Sequence, residues 1–332
     1  LVAPMFTGLF MDKMVGFLRL YFPVFLLGAV FGKLIEISGF SKSIVAATIQ
    51  LVGAERAMLA IVLVCALLTY GGVSLFVVVF AVYPFAAELF RQNNIPKRLI
   101  PGTIALGAFT FTMDALPGTP QIQNIIPTTF FGTDAWAAPV LGTLGSLFVF
   151  AVGMAYMEWR RRVAVRAGEG YGDPATLVNE PVPFTGGRLA HPLVALLPLV
   201  VVFASNRLYT ALIPRLYGER TEFMPSVMGT AEPVVQEVSK VAAIWAVEGA
   251  LITGIVAGLA LAWKPVTTHF AEGTKSAVNG ALLASMNTAS EYGFGAVIAA
   301  LPGFLVVANA LGAIPNPLVN QAVSVTVLAG IT

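Results

Sequence analysis

The sequence predicts an all-α protein that crosses a membrane several times, and three observations carry that prediction. Of 332 residues, 57% are hydrophobic and only 11% charged, whereas a typical soluble domain carries about 25% charged residues. Mean hydropathy is +0.84, so there is too little polar surface to face water and the bilayer is the natural solvent. The apolar residues also come in continuous runs, and about 20 of them in a helix cross the ~30 Å hydrocarbon core. Helices satisfy every backbone group within the segment, which lipid cannot do for it.

Phe17–Ile37, Ala135–Met157 and Val241–Trp263 have the required length. Pro192–Tyr209 is slightly short, and Tyr292–Ile314 is interrupted by Pro302. Between the halves lies the polar, Gly/Pro-rich stretch EWRRRVAVRAGEGYGDPATLVNEPVPFTGGR, which reads as a linker. The expected organisation is a first transmembrane half over 1–157, a linker over 158–190 and a second half over 191–332. Arg215–Lys240 is a second polar connection. Arg91, Lys97 and Arg98 precede one apolar region, and Arg160, Arg161, Arg162 and Arg166 follow the next. Basic residues collect on the cytoplasmic side, so Leu99–Met157 is expected to enter the membrane and return. Lys264 is a weaker marker of the same side.

Two regions depart from simple spans. In the first, about 57–90, apolar arms of 12 residues (Ala57–Leu68) and 15 residues (Val73–Ala87) flank TYGG. As helices they reach roughly 18 and 22 Å, short of the ~30 Å core. Glu55, Arg56 and Arg91 place charges at both outer ends. A re-entrant hairpin with TYGGVS at its tip fits; two thin tilted spans joined by a tight turn are the alternative. The second half repeats the theme over about 277–314, where the polar stretch Asn287–Gly295 separates two apolar arms. Paired interrupted segments in corresponding positions point to an internal-repeat transporter.

The segment about 99–134 reads as a broken helix, interrupted by MDALPGTPQIQN at 113–124. Pro117 and Pro120 each remove a backbone donor, and Gly118 lets another group approach the chain. A half-helix starting near Gln121 would turn its free N–H groups toward the gap, an arrangement that binds a carboxylate. Thr119, Gln121, Gln123 and Asn124 add hydroxyl and amide groups that donate and accept. The tips offer similar chemistry: Thr69, Gly71, Gly72 and Ser74 in one, Asn287, Thr288 and Ser290 in the other, with Gly293 and Gly295 beside them. Arginine is absent from all three stretches, which argues for binding without a fixed cation and against phosphate. Small residues also let membrane helices pack closely, and that is the competing explanation for each motif alone.

Glu291, Asp114 and Glu248 are ionisable residues at or within spans, where function is the default reading. Glu291 is the first candidate proton carrier and Asp114 the second. Asp114 as an N-cap and Glu248 as a neutral hydrogen-bonded group are the structural alternatives. Glu88, His191 and His269 read as interfacial. The lone cysteine, Cys65, sits in an apolar run, so no disulfide or cysteine metal site forms within one chain. No metal or cofactor is expected. Two isolated histidines and no GxSxG motif argue against an enzyme, and no basic patch or motif suggests nucleic acid.

The stretches LTYGGVSLFVVVF, TMDALPGTPQIQNIIPTTFFGT and NTASEYGFGAVIA resemble the gluconate permease (GntP-type) family of secondary transporters, along nearly the whole chain. That resemblance implies inverted repeats with two re-entrant hairpins and two broken helices. It further implies a homodimer of bacterial inner membranes in which an elevator-like transport domain moves against a scaffold. It implies tips at Thr69–Ser74 and Asn287–Gly293, a first broken helix at Leu116–Asn124, and segments beyond Leu1 and Thr332 that this chain lacks. The substrates it implies are gluconate-like sugar acids or short hydroxy acids such as 3-hydroxybutyrate, taken up with protons. A sodium-coupled anion carrier and an ion antiporter or channel remain the alternatives.

Overall fold

In a computed structural model of the chain, residues 2–73, 75–172, 189–223 and 233–331 are described. They form helices throughout, with one small β-ribbon. Helix α1 (Val2–Ile37) carries a wider turn at Phe6–Phe10 and Pro23 in its interior. It is followed by α2 (Phe40–Val52), α3 (Ala57–Tyr70) and α4 (Leu75–Gln92). The broken region gives α5 (Ile100–Ala108), the single turn α6 (Phe111–Asp114) and α7 (Ile122–Phe131). Long helices α8 (Pro139–Arg166) and α9 (Pro192–Tyr217) come next. The remainder is α10 (Ala242–Leu261), α11 (Trp263–Thr268), α12 (Phe270–Ala299), α13 (Pro302–Gly312) and α14 (Pro317–Ile331).

Among the described residues, four helices are long and apolar enough to cross a membrane: α1, α8, α9 and α10. Two bent pairs add to them: α2 turns by 109° into the helix that contains α3, and α12 turns by 84° into α13. Of the sequence-predicted spans, Pro192–Tyr209 lengthens to Tyr217 as α9. The second polar connection is not wholly irregular. It contains an antiparallel ribbon of Arg220–Phe223 with Val234–Glu237, in which Arg220 faces Glu237.

The chain forms two compact units: Leu1–Phe22 with Ala281–Thr332, and Pro23–Gly280. Helices α8 and α9, on either side of the polar linker, both belong to the larger unit. Most of the linker (173–188) lies outside the described residues.

The larger unit is organised around α3. Its sequence AMLAIVLVCALLTY is apolar all round, the pattern of a helix enclosed by others. Ala60, Ile61, Val62, Val64, Cys65 and Leu68 are all fully buried. Helices α2, α4, α5 and α6 pack around it. Close approach of α5 depends on Gly107, where a Cβ would lie 2.4 Å from the Val62 carbonyl oxygen and 2.6 Å from Cys65 Cβ.

Helices α3 and α4 form a closed hairpin. The side chain of Asn93, just past α4, donates to the carbonyl of Ala54, just before α3, at 2.9 Å. The outer ends therefore share one side, as the charges at Arg56 and Arg91 imply. The two basic clusters also meet. Arg98 forms a bidentate pair with Glu169 at 2.5 and 2.6 Å, and the Tyr171 N–H donates to Asn94 at 3.0 Å. The chain thus goes out along α5 and returns along α8 to the same end, as the charge distribution predicts.

The second hairpin differs from expectation. Asn287–Gly295 lies inside the continuous helix α12 and forms no tip. The turn comes later, at Ala300–Leu301, where Pro302 opens α13. The hydroxyls of Thr288 and Ser290 fit within the helix: they donate to the carbonyls of Ala284 and Met286, one turn back. A hydroxyl bonded in this way is no longer a helix breaker, whereas proline at a first-turn position starts a helix and bars the preceding residue from continuing one.

The Gly107 contact gives a stability prediction. Gly107→Ala should destabilise the detergent-solubilised protein by about 1–3 kcal/mol, the usual penalty for overpacking. Gly280→Ala, where no atom lies within 4 Å of the new Cβ, should leave the thermal midpoint unchanged or raise it. Equal midpoints for the two variants would contradict this packing.

Candidate functional site

The interruption at 115–121 is the most elaborate piece of backbone in the larger unit. After α6 ends at Asp114, the chain runs in turn and extended conformation to Gln121, and α7 begins at Ile122. Asp114 therefore closes a helix and does not cap the next one. Gly118 sits at φ +83°, a conformation glycine adopts without strain, and a Cβ there would overlap the ring of Trp136 at 2.5 Å.

Side chains hold this backbone in place. Thr112 Oγ1 donates to the carbonyl of Gly107 at 2.6 Å, and Thr119 Oγ1 to that of Thr112 at 2.8 Å. Asn124 donates its amide to the carbonyls of Thr119 and Ala135, both at 3.0 Å. The Gly118 N–H reaches the Ala135 carbonyl at 2.7 Å. Two of the amides expected to face a solute thus bind backbone instead, because carbonyls freed by uncoiling need donors at membrane depth.

Gln121 is the second of these amides, and it joins the break to the first hairpin tip. Its Nε2 donates to the carbonyls of Thr69 at 2.7 Å and Val73 at 3.1 Å. The Tyr70 hydroxyl donates to the carbonyl of Pro117 at 2.8 Å. A Cβ on Gly72, at φ +94°, would lie 3.3 Å from Pro120 Cγ. Thr69, Gly71, Gly72, Gly118, Thr119, Gln121 and Asn124 are therefore gathered into one place. Ser74 falls outside the described residues. Gln123 is exposed at the start of α7. Asn287, Thr288, Ser290 and Glu291 belong to the other compact unit, on α12. Glu248 is half-buried on α10.

Several polar groups at the break keep free valences. Gln121 is the N-cap of α7 yet makes no capping bond with its side chain. The N–H groups of Ile122 and Gln123 have no partner among the described residues. These are the orphan donors of a helix start. The Thr69 hydroxyl and Trp136 Nε1 are buried and unpaired, as is Asn206 Nδ2 on α9.

Helix α9 contributes a face that the sequence did not reveal as part of the site. Leu199, Val202, Phe203, Asn206 and Arg207 recur at helical spacing. A Cβ on Gly71 would meet Leu199 at 2.5 Å, and one on Gly72 would meet Val202 at 3.4 Å. The Phe203 ring packs on Tyr70 at 5.7 Å and edge-on to Trp136 at 5.2 Å. The Arg207 guanidinium lies over the Trp136 ring at 5.4 Å. A fixed cation therefore stands beside a break in which none was expected. The signal was present in the polar triplet Ser205-Asn206-Arg207, which makes the apolar run Pro192–Tyr209 fall short.

Among known proteins, the uncharacterized transporter YxjC of Bacillus subtilis (strain 168) is 53% identical over 339 residues, covering 100% of this chain and 71% of that protein. The chain belongs to that transporter family. No family model matches the sequence, and no solved structure matches it. With four helices able to cross a membrane and two bent pairs besides, the chain is a multi-pass membrane transporter.

In this transporter the Gln121 amide is the clasp between tip and break. Gln121→Met keeps the volume and removes the donor to the Thr69 and Val73 carbonyls, the first of which keeps the Gly72 N–H; each lost bond is worth about 0.5–1.5 kcal/mol net. The expected result is a lower thermal midpoint and faster hydrogen exchange of 69–73 and 115–124. Unchanged exchange in both segments would show that they are not joined in this way.

Proposed function

We propose that this transporter imports a small hydroxylated carboxylate, a gluconate-like sugar acid or a short hydroxy acid such as 3-hydroxybutyrate, by proton symport. The observation that carries the reading is the break at 115–121, held by its own side chains against the Thr69–Gly72 tip, with unpaired donors left over. Irregular backbone at membrane depth is tolerated where it is buried in protein or lines a cavity. Paired helix breaks are the usual binding place in transporters built from repeats. The resemblance to the gluconate permease family supports the substrate class.

Thr69, Gly71, Gly72, Ser74, Gly118, Thr119, Gln121, Gln123 and Asn124 belong to this proposed site; in the other compact unit, Asn287, Thr288 and Ser290 on α12 are proposed separately as solute-binding residues. Gln121 and Asn124 act by fixing the backbone that the solute meets. The free N–H groups of Ile122 and Gln123 and the Thr69 hydroxyl are the donors for its oxygens. Asp114, Glu248 and Glu291 are the candidate proton carriers. Asp114 and Glu291 are exposed, and none of the three has an ion-pair partner among the described residues. A proton taken up by such a carboxylate removes a negative charge that repels the anion, which couples the two fluxes.

Both basic clusters lie at one end of the larger unit, which supports a cytoplasmic position for that end in a bacterial inner membrane. The same reading takes the transporter to be a lipid-embedded homodimer.

Uptake by purified protein in liposomes tests the proposal. With one proton per solute, steady-state accumulation of 3-hydroxybutyrate or gluconate should rise about tenfold per unit of imposed pH gradient. A protonophore should abolish it. Accumulation driven by a sodium gradient and indifferent to pH would replace the proton by Na⁺. Absence of uptake across a panel of hydroxy acids would overturn the assignment.

A further inference from the structure

An arginine near the middle of a membrane-spanning helix needs a physical reason. Arg207 is 15 residues into the 26-residue helix α9, so about 22 Å from its start. A charge at that depth is costly and, as a rule, faces the bundle interior or a water-filled cavity, paired with an opposite charge. Arg207 is exposed and forms no ion pair among the described residues. Its one specific neighbour is the face of Trp136.

A guanidinium held over a ring by a cation–π contact keeps N–H groups in the fork that matches a carboxylate. Two further donors belong to this region: Trp136, whose ring Arg207 overlies, and Asn206, its neighbour along α9. Trp136 Nε1 is a donor only, and the Asn206 Nδ2 is a donor. Both are buried and unpaired, and Asn206 is 0% exposed. The other half of the Asn206 amide is engaged, because its Oδ1 accepts from Thr210 Oγ1 at 3.2 Å. What is left over is therefore donors alone. Such a set fits an anion and repels Na⁺ or any other cation.

Trp136 ties this group to the break. The same ring covers Gly118 and packs on Phe203, which in turn packs on Tyr70 at the hairpin tip. Asn206 and Arg207 follow Val202 and Phe203 on the same face of α9, one turn further along.

Resting on the proposed transport function and deepening it, we propose that Arg207, Trp136 and Asn206 form the carboxylate subsite of the transported solute. Arg207 takes the carboxylate by its fork, and the Trp136 Nε1–H and Asn206 amide donate to the same group. The hydroxyl-bearing end of the solute then meets Thr69 and the start of α7. The solute class is a monocarboxylate, because among the described residues one cation, Arg207, stands at this site to match it.

Liposome uptake of radiolabelled 3-hydroxybutyrate and gluconate, competed by each acid and by its neutral amide, tests this. Wild-type protein should prefer acid over amide strongly. Arg207→Gln should lose about 100-fold in apparent affinity for the acid, the scale of breaking a hydrogen-bonded charge pair, while amide competition stays nearly constant. The acid-to-amide preference is a ratio within one preparation, so it does not depend on the folded fraction. Arg207→Lys, which keeps the charge but not the fork, and Trp136→Phe, which keeps the ring but not the donor, should each lose about tenfold. Wild-type uptake with an unaltered acid-to-amide ratio in all three variants would overturn the subsite and leave the transport function standing. Absence of wild-type uptake of either acid would overturn the transport reading itself, and this inference with it.

Discussion

Lipid offers no hydrogen bonds, and that constraint organises the larger unit. Every carbonyl and N–H released by uncoiling at membrane depth must find a partner in the protein or face water or a solute. Between Gly107 and Ala135, side chains of the same segment match four carbonyls: Thr112 and Thr119 each reach one, and Asn124 reaches two. Gln121 and Tyr70 complete the set by crossing to the hairpin tip. Several donors here stay without a partner among the described residues. They are the N–H groups at the start of α7, the Thr69 hydroxyl, Trp136 Nε1 and Asn206 Nδ2.

The clasp also limits how the site can move. Opening the tip away from the break would break three hydrogen bonds, each worth about 0.5–1.5 kcal/mol net. It would also separate Gly71 and Gly72 from Leu199 and Val202. Tip, break and the central part of α9 therefore behave as one piece.

The first half was legible because its signals are local. A glycine pair between two short apolar arms gives a hairpin, and two prolines around a glycine give a break; both appear where the sequence places them. Charge placement gave the shared end of α5 and α8, confirmed by the Arg98–Glu169 pair. The second turn lies beyond the polar stretch Asn287–Gly295, at Ala300–Leu301, because polarity between two apolar arms does not by itself end a helix. Thr288 and Ser290 bond to their own helix, and Pro302 makes the turn. The roles of Gln121 and Asn124 were hidden for another reason. An amide facing a solute and an amide facing a carbonyl look alike in sequence, and only tertiary contacts distinguish them. Arg207 gives no local signal at the break, because it arrives from a helix some 90 residues later in the chain.

The central claim is that the 113–124 interruption lines a path for a solute and is more than a packing device. Gln123, exposed at the start of α7, gives the most direct measurement, because the natural cysteine, Cys65, is buried. In Gln123→Cys protein, the rate of modification by a membrane-impermeant thiol reagent is followed with and without 3-hydroxybutyrate or gluconate. The account predicts a reactive thiol that either acid slows severalfold. A thiol that resists the reagent from both sides of the membrane, or reacts at a rate unaffected by either acid, would contradict it.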